Sequence, residues 1–445
     1  MNRSYIKMAW RVLRRNPFFT GISLFGISFT LAVLMLMVAY LNNQFGANTP
    51  LSHADDLIYF RQLEQKQVNQ DTIWSVDSSL VNGLWVLDST YQNVDNNNWT
   101  SRSGFHIDFL AQFFSKEKLT TVETITYMSG WGSYDVFHNN KKYQLSAKHI
   151  DEKYFEVFDF KILQGRVFNK ADIDQAALHV VITDALGRDY FGSIDDVVGK
   201  IMHVDHKDFM VIGIISKANV NNSYIDSDIF MPISYLNPDE DRNGYFGGYA
   251  AVAKSKDVEA TLEEIKKITA TIPFLDPSQS NGANFNRMRV IVYDHLHLNT
   301  NDFFYSDDPK ESKGWFKWIV GGIILLFCLV PLLNLINLNV SRILDRSSEI
   351  GVRKAFGAHA SHILVQIIFE NVVLTLLGGI IGALLALLLM YLINKNAWLE
   401  ELKLGFNLSV FMISFLLVIF FGILSGILPA YKIAKSHIVH ALKYK

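Results

Sequence analysis

The chain has 445 residues, of which 50% are hydrophobic and 19% are charged, and its net charge is −2 at pH 7. It is too apolar for an ordinary soluble protein and too charged for a fully buried one, which predicts membrane spans joined to a polar domain. A spanning helix needs about 20 apolar residues. Four runs without an acidic or basic residue meet that length, at 18–41, 319–340, 372–393 and 408–428.

Basic residues in the short flanks of these runs predict their orientation. Residues 1–17 and 429–445 carry only basic charges, segment 341–362 has a net charge of +2, and the long segment 42–314 has a net charge of −13. By the positive-inside rule, these three flanks and both termini are cytoplasmic, and the long segment is outside.

In chain order, residues 1–17 predict a cytoplasmic amphipathic helix with basic residues on one side. It serves either as a positive-inside anchor or as a second contact for a cytoplasmic partner. We interpret the run at 18–41 as a retained span (TM1), because the apolar core of a signal peptide has only about 7–15 residues.

The segment 42–314 predicts an external α+β domain that buries its own core. Its two ends each predict a β-α-β unit, and two such units can pair in one split sheet. The stretch at about 63–104, rich in Gln, Asn, Ser and Trp, is interpreted as an irregular surface insert. The predicted elements are strands at 57–61 and 122–128 around a helix at 108–114, and strands at 249–253 and 287–293 around a helix at 257–271.

The middle of this domain, residues 129–240, predicts a second, β-rich lobe inserted into the first. The first lobe is then discontinuous, formed by residues 50–128 and 241–300. The single cysteine, Cys328, lies in the second apolar run, so the domain has no disulfide and depends on its core. The strands predicted in the middle lobe are at 142–147, 179–182, 200–204, 209–214 and 229–231.

The remaining spans are predicted at 315–340 (TM2), 363–393 (TM3) and 408–428 (TM4), with a short external loop at 394–407. Asn334 and Asn337 lie on one face of TM2, where an interhelical hydrogen bond is favoured over a substrate path. Small-residue spacing that lets membrane helices approach closely occurs in TM3 and TM4, and by itself gives little support for a dimer. The glycines concerned are Gly378, Gly382, Gly422 and Gly426.

Between TM2 and TM3, the cytoplasmic segment 341–362 contains a dense block of charge at 345–358, DRSSEIGVRKAFGA. It predicts a short interfacial helix that ends at Gly357, since glycine tolerates the left-handed turn that terminates a helix. A soluble partner can bind this helix from the cytoplasm. The candidate contact residues are Asp345, Arg346, Glu349, Ile350, Gly351, Arg353, Lys354, Phe356 and Gly357.

No catalytic, cofactor or metal site is predicted. The phosphate-binding loop requires G-x-x-x-x-G-K-[ST], and the nearest fragment, Gly199-Lys200, is followed by Ile201. The predicted cytoplasmic segments are too short for a nucleotide-binding domain. The histidine pairs His203-x-x-His206 and His295-x-His297 lack a third placed ligand, so we interpret them as surface or strand residues.

These residues resemble the permeases of the MacB/FtsX superfamily of ABC transporters, the four-span mechanotransmission type. The block at 345–358 is similar to the family's ER-x-x-EIG-x-RKA-x-GA motif, with Asp345 where glutamate is usual. The run 422–430 resembles the ending of its last span, and Ile438 stands where the family commonly has proline. Similarity to its periplasmic core domain lies in Tyr154-Phe155, Phe158, Gly165-Arg166-Val-Phe168, Gly199-Lys200, Val211-Ile-Gly213-Ile and Phe230-Met-Pro232.

The resemblance implies a bacterial inner-membrane permease with a periplasmic domain of two lobes, porter-like at 50–128 and 241–300 and sabre-like at 129–240. The block at 345–358 is then the coupling helix, seated in a groove of a separate ATPase subunit that uses ATP and Mg. The chain itself is not an enzyme on this interpretation. Two permeases, identical or different, pair with one ATPase each. A periplasmic adaptor and an outer-membrane duct stay open as partners beside membrane lipid, and no nucleic acid is expected.

Three functions fit this resemblance. In an exporter, ATP hydrolysis closes the coupling helices and the spans move the external domain, for efflux of a peptide, lipopeptide, toxin or drug. An FtsX-like actuator instead switches on a cell-wall hydrolase, and a lipoprotein-extracting permease takes acylated proteins from the outer leaflet. The size and two-lobed pattern of the external domain favour the exporter. A free-standing external enzyme is disfavoured.

Overall fold

The computed structural model describes residues 17–46, 49–81, 84–130, 132–138, 141–218, 222–238, 244–276, 285–304, 309–345 and 360–396, with isolated residues at 352, 356 and between 404 and 427. The chain divides into two compact units. The helical unit comprises Met1–Phe45 and Lys310–Lys445, and the sheet unit comprises Gly46–Pro309.

The chain contains nine described helices and twelve described strands, with two additional 3-10 turns at Ala54–Asp56 and Ile233–Tyr235. The helices are α1 (Pro17–Phe45), α2 (Ile107–Phe113), α3 (Tyr154–Val157), α4 (Lys170–Asp174), α5 (Asp184–Phe191), α6 (Val258–Thr271), α7 (His295–Phe304), α8 (Pro309–Asp345) and α9 (Ala360–Lys395). The strands are β1 (Leu57–Val81), β2 (Leu84–Ser103), β3 (Val122–Ser129), β4 (Gly132–His138), β5 (Lys141–Ile150), β6 (Ile162–Gly165), β7 (His179–Thr183), β8 (Ile201–Val204), β9 (Lys207–Ile215), β10 (Ile229–Pro232), β11 (Tyr249–Ser255) and β12 (Arg287–Asp294).

Two described helices are long and apolar enough to cross a membrane, at Thr20–Asn43 in α1 and Ile368–Lys395 in α9. They contain the predicted runs 18–41 and 372–393 almost entirely. The run at 319–340 lies within α8, and the run at 408–428 is described only at isolated residues. The count of four spans therefore stays a prediction. The predicted amphipathic helix at 1–17 and tail at 429–445 lie outside the described residues, apart from Pro17.

The sheet unit contains one twelve-stranded sheet in which the main strand order is β12-β1-β11-β3-β5-β10-β7-β9-β6. The first four strands pair antiparallel with one another and come from the two ends of the unit. Helices α2 and α6 belong to the two β-α-β segments that supply them. The predicted helices at 108–114 and 257–271 and the predicted strands are confirmed to within a few residues, except that β1 continues to Val81, well beyond the predicted end at 61.

The stretch at about 63–104 is not the irregular insert that its composition indicated. It forms most of a long antiparallel hairpin, in which β1 and β2 pair from Leu63↔Ser103 to Val81↔Leu84. The prediction was wrong because Gln, Asn and Ser are frequent in this stretch, and its apolar residues do not follow the period of two that marks a half-buried strand. The Asn82-Gly83 dipeptide between the two strands is a strong hairpin signal, although it lies outside the described residues.

The middle strands continue the same sheet rather than starting a separate one. β3 and β5 are joined by one residue pair, Met128↔Ile150, and β10 then pairs in parallel with β5. β7 and β9 are also parallel, and they extend the sheet towards β6.

Three hydrophobic clusters fill the sheet unit, and one of them draws on both halves of the sheet. That cluster packs Tyr59 and Val252, from the first four strands, with Tyr154, Ile215 and Phe230 from the middle segment. A second cluster lies between the first four strands and α2 and α6, and a third lies around β7, β9 and α5. The predicted middle lobe therefore contains one cluster of its own and shares another with the first four strands.

Candidate functional site

The predicted coupling block follows α8, which ends at Asp345, and precedes α9, which begins at Ala360. Within it the structure describes Val352 and Phe356. The Phe356 N–H donates to the Val352 carbonyl at 3.1 Å, which is the i→i+4 bond of an α-helical turn. Val352 is 47% exposed and Phe356 is 88% exposed. Residues four apart lie on one helical face, so this turn presents two apolar side chains together.

The other candidate coupling residues lie outside the described part of the chain, so their roles stay predictions. They are Arg346, Glu349, Ile350, Gly351, Arg353, Lys354 and Gly357. Among the predicted packing residues, Asn334 and Asn337 lie within α8, and Gly422 and Gly426 lie outside the described residues.

Gly378 and Gly382 lie where α9 packs against α1. A Cβ atom at Gly378 would be 2.7 Å from Ile27 Cγ2, and one at Gly382 would be 2.7 Å from the Ser28 carbonyl oxygen. Real Cβ atoms do not approach other atoms so closely, so only glycine fits at this separation of the two helices. The glycine spacing is used inside the chain, between its first and third predicted spans.

In the sheet unit, two glycines of the periplasmic-type motif allow β6 and β9 to approach closely. A Cβ atom at Gly165 would be 2.2 Å from the Ile212 carbonyl oxygen, and one at Gly213 would be 2.1 Å from the Arg166 carbonyl oxygen. Gly165 also has a φ of 69°, a left-handed conformation that side chains disfavour. This part of the motif is explained by strand packing.

The arginine of the same motif holds a buried carboxylate. Asp172, 5% exposed, accepts from Arg166 Nη2 at 3.0 Å, from His179 Nδ1 at 2.8 Å and from the Asn169 N–H at 2.9 Å. The hydrogen bond from Arg166 is the main reason that the pKa of Asp172 lies well below its usual range. The sequence singled out Arg166 but not its partner, because Asp172 carries no motif signal of its own.

Three more ionisable residues are buried near the junction of β3 and β5, and sequence analysis did not identify them. Burial lowers the pKa of Lys148 to about 8 and that of His149 to about 4, and it raises the pKa of Asp151 to about 7. Lys148 Nζ donates to the Ser223 carbonyl at 2.8 Å.

Asp151 links the two strands that meet at this junction. Its carboxylate accepts from the Tyr127 N–H at 2.7 Å and from the Thr126 hydroxyl at 2.6 Å, both on β3, while Asp151 itself directly follows β5. Because β3 and β5 share only the pair Met128↔Ile150, these bonds strengthen a narrow connection. We interpret the group as structural.

The two histidine pairs lie in different surroundings, one on the surface and one in the interior. His203 Nδ1 lies 2.9 Å from Asp208 Oδ1 on the surface, whereas His295 is buried with its Nδ1 3.3 Å from the Tyr59 hydroxyl. Within the described ranges no group of three or more His, Cys, Asp or Glu side chains is placed to hold a metal ion.

Comparison with known protein families gives two matches along the chain. The MacB-like periplasmic core domain matches residues 20–268, which is more than half of the chain. The FtsX-like permease C-terminal domain matches residues 321–438.

Similar proteins occur among curated relatives and among solved structures. The chain is 22% identical over 437 residues to the pyoverdine export ATP-binding/permease protein PvdT of Pseudomonas syringae pv. syringae, covering 98% of this chain and 59% of that protein. It is 24% identical over 331 residues to the macrolide export ATP-binding/permease protein MacB of Neisseria gonorrhoeae, covering 73% and 47%. The chain therefore spans less than two thirds of these relatives. The periplasmic region of MacB from Actinobacillus actinomycetemcomitans matches with a TM-score of 0.33 and 20% identity, over 45% of this chain and 83% of that one.

Proposed function

We propose, because this chain belongs to the MacB/FtsX superfamily of ABC transporter permeases, that it transmits ATP-driven motion of a partner ATPase across the inner membrane to its periplasmic domain. The ATPase is a separate subunit that binds ATP and Mg, and this chain is its permease. Both termini are cytoplasmic, four helices span the membrane, and the sheet unit is periplasmic. Two permeases form the working dimer.

The observation that carries this proposal is the exposed turn between α8 and α9. A Phe side chain that is 88% exposed is expensive to hold in water, since burying one contributes roughly 1.5–3 kcal/mol. Val352 adjoins it on the same helical face. An apolar pair presented at a tight helical turn suits a groove on a soluble partner, and the predicted charges around it, Glu349 and Arg353, suit ion pairs at the rim.

The names of the relatives support efflux as the purpose of the motion. The two relatives are named for the export of pyoverdine and of macrolides. We propose that this chain serves the efflux of a peptide, toxin or drug, and that the spans move a periplasmic domain that is porter-like at 50–128 and 241–300 and sabre-like at 129–240. An adaptor and an outer-membrane duct complete the route in this proposal.

Co-purification tests the coupling proposal. The full chain is expressed with a candidate partner ABC ATPase from the same organism, and the complex is isolated in detergent. We expect Phe356→Ser to lower ATPase recovery about 10-fold or more, because the lost contact is worth roughly 1.5 kcal/mol or more. Phe274→Ser is the matched control, since Phe274 is 45% exposed but lies in the sheet unit.

A second test uses the charged residues of the block. Glu349→Lys and Arg353→Glu should uncouple ATP turnover from transport while the chain still inserts in the membrane. Equal ATPase recovery and transport for the wild type and all variants of the block would overturn the assignment of this segment.

A further inference from the structure

Large aromatic side chains are exposed near one end of each of the three long helices of the helical unit. They are Tyr40 on α1, Trp315 and Trp318 on α8, and Tyr391 on α9, and Trp318 is 81% exposed. Indole rings are highly buried on average in proteins that fold in water, so this exposure points to a cover other than water. We call these four side chains the aromatic girdle.

The packing of α1 against α9 places two members of the girdle at one level. The contacts that set the register of the two helices are Ile27 with Gly378, Leu31 with Gly382 and Ala39 with Met390. The offset between partners is the same in all three contacts, so the helices run parallel. The same offset makes Tyr391 level with Tyr40.

A ring contact between α1 and α8 places the two tryptophans near that level. The ring centroids of Phe45 on α1 and Phe316 on α8 are 4.6 Å apart. In the proposed topology α8 is antiparallel to α1. A helical rise of about 1.5 Å per residue then separates Trp318 from the level of Tyr40 by about 4.5 Å, and Trp315 by about 9 Å. The girdle therefore occupies a band about 9 Å deep, comparable with the headgroup region of one leaflet, which is about 5–8 Å thick.

The residues on the two sides of this band differ in polarity. Towards the middle of α8 and α9 the exposed side chains are aliphatic, among them Leu325, Leu326, Leu329, Leu384, Leu387 and Leu388. At the other side of the band, Lys395 lies one turn beyond Tyr391, with its Nζ 5.9 Å from the centroid of that ring. The girdle thus lies at the boundary between an apolar surface and a basic one.

The length of the apolar segment agrees with a bilayer. On α9 the sequence has no charged residue between Glu370 and Tyr391. At about 1.5 Å per residue this segment is about 32 Å long, close to the hydrocarbon thickness of about 30 Å.

A planar lipid surface fits the girdle better than a second copy of the chain does. Trp and Tyr are enriched at membrane–water interfaces, where the ring meets the acyl chains and the polar tip reaches water. A second copy would cover a stripe along a helix, whereas the girdle joins three helices at one level.

We infer that Tyr40, Trp315, Trp318 and Tyr391 bind the headgroup region of the outer leaflet and fix the depth of the helical unit in the membrane. This inference rests on the proposed topology, in which α8 spans the membrane, and adds to it the residues that contact lipid headgroups.

The depth set by the girdle also bears on the coupling block. About 30 Å of hydrocarbon corresponds to about 20 residues of α8 beyond Trp318. Since α8 ends at Asp345, its last turns extend about 10 Å into the cytoplasm. The block at 345–358 is then presented to a soluble partner clear of the lipid.

Depth-dependent fluorescence quenching tests the girdle. The full chain is placed in phosphatidylcholine bilayers containing a lipid brominated either near the headgroup or near the end of its acyl chain. The signal of the native pair is the difference between the wild type and Trp315→Phe with Trp318→Phe. We expect the lipid brominated near the headgroup to quench this signal about twofold more than the other lipid does. Leu326→Trp, an exposed position about 12 Å further along α8, is the matched control and should show the reverse order.

The control distinguishes failure of the girdle from failure of the topology. Quenching of Leu326→Trp without quenching of the native pair would overturn the girdle alone, since water or a second copy would then cover the two tryptophans. An absence of quenching at all three positions would overturn the spanning role of α8 and the girdle together.

A second comparison tests whether the girdle sets the depth, with Leu326→Trp as the reporter. Trp315→Leu with Trp318→Leu removes the polar tips and should change the ratio of quenching by the two lipids about twofold. Trp315→Tyr with Trp318→Tyr keeps amphipathic rings and should leave that ratio within about 20% of its starting value. An unchanged ratio in the leucine pair would overturn the claim that these residues fix the depth.

Discussion

At the scale of single residues, Asp172 shows how one carboxylate organises a loop. Its oxygens accept from Arg166, His179 and the backbone of Asn169, which ties β6, α4 and β7 together. The carboxylate is buried but the Arg166 side chain is 48% exposed, so removing the carboxylate charge loses charge-assisted hydrogen bonds and leaves a guanidinium that water can solvate.

We therefore expect Asp172→Asn to lower the free energy of unfolding of the sheet unit by about 1.5–3 kcal/mol, the range for hydrogen bonds to a charged group. Its pKa is depressed in the folded state, so the contribution is complete above about pH 4, the unfolded value, and is lost as pH falls further. Denaturant titrations at pH 6 and pH 2.5 check this. Equal losses at both pH values on substitution would contradict the ion-pair account. Asp174→Asn, on the same short helix, is the control.

Asp151 should give the opposite pH dependence in a different window. Burial raises its pKa to about 7, so between about pH 4 and pH 7 the folded state holds a proton that the unfolded state has released. The contribution of this group to stability is highest below pH 4 and falls as pH rises to 7. Asp151→Asn should flatten the pH profile of stability in that window, measured by thermal unfolding at pH 4.5 and 7.5. If the stability of Asp151→Asn changed with pH as steeply as that of the wild type, the assignment of this pH dependence to Asp151 would be contradicted.

At the scale of elements, the helix pair α1 and α9 depends on glycine. At Gly382 the nearest atom to an added Cβ is a backbone oxygen of Ser28, which cannot rotate away. We expect Gly382→Val to separate the helices and to lower the midpoint of thermal unfolding in detergent by about 5 °C, as overpacking typically costs 1–3 kcal/mol.

The control for this substitution lies on the other helix. A Cβ atom at Gly21 would meet nothing within 4 Å, so Gly21→Val should leave the midpoint within about 1 °C of the wild type. A similar fall for both variants would mean that helix propensity or insertion, not the close contact, explains the result.

Element prediction from the sequence succeeded where apolar residues were consecutive or periodic. β7, β9 and α6 were found for that reason, each beginning or ending within two residues of its predicted bounds. The hairpin was missed because Asn, Gln and Ser lowered its average hydrophobicity and its apolar residues lack a period of two, although the hairpin signal Asn82-Gly83 lies between its two strands. In the coupling block, the sequence predicted a short helix, and the hydrogen bond from the Phe356 N–H to the Val352 carbonyl is of the helical type; the coupling role of the block stays a prediction.

At the scale of the whole molecule, the sheet unit folds as one body with a common core. The sequence indicated an inserted lobe because strand and turn signals at 129–240 are short and regular. Which strand pairs with which is a long-range property, and no local pattern predicts that Phe230 and Tyr154 pack in one cluster with Tyr59 and Val252.

This shared core predicts that the middle segment is not independent. A fragment of residues 129–240 should lack a cooperative thermal transition, whereas residues 46–309 should unfold in one step. Near-ultraviolet circular dichroism and calorimetry measure both. A fragment 129–240 that melts cooperatively at a temperature near that of residues 46–309 would show that it has a sufficient core of its own.

The central claim is that motion at the cytoplasmic block reaches the sheet unit. Amide hydrogen exchange of residues 46–309 tests it in the membrane complex with the ATPase, comparing the nucleotide-free and vanadate-trapped states. We predict that trapping changes exchange in α7 and in residues 49–56, next to the helical unit in sequence, and that Phe356→Ser abolishes the change. A complex that hydrolyses ATP while exchange throughout residues 46–309 stays the same would contradict the account.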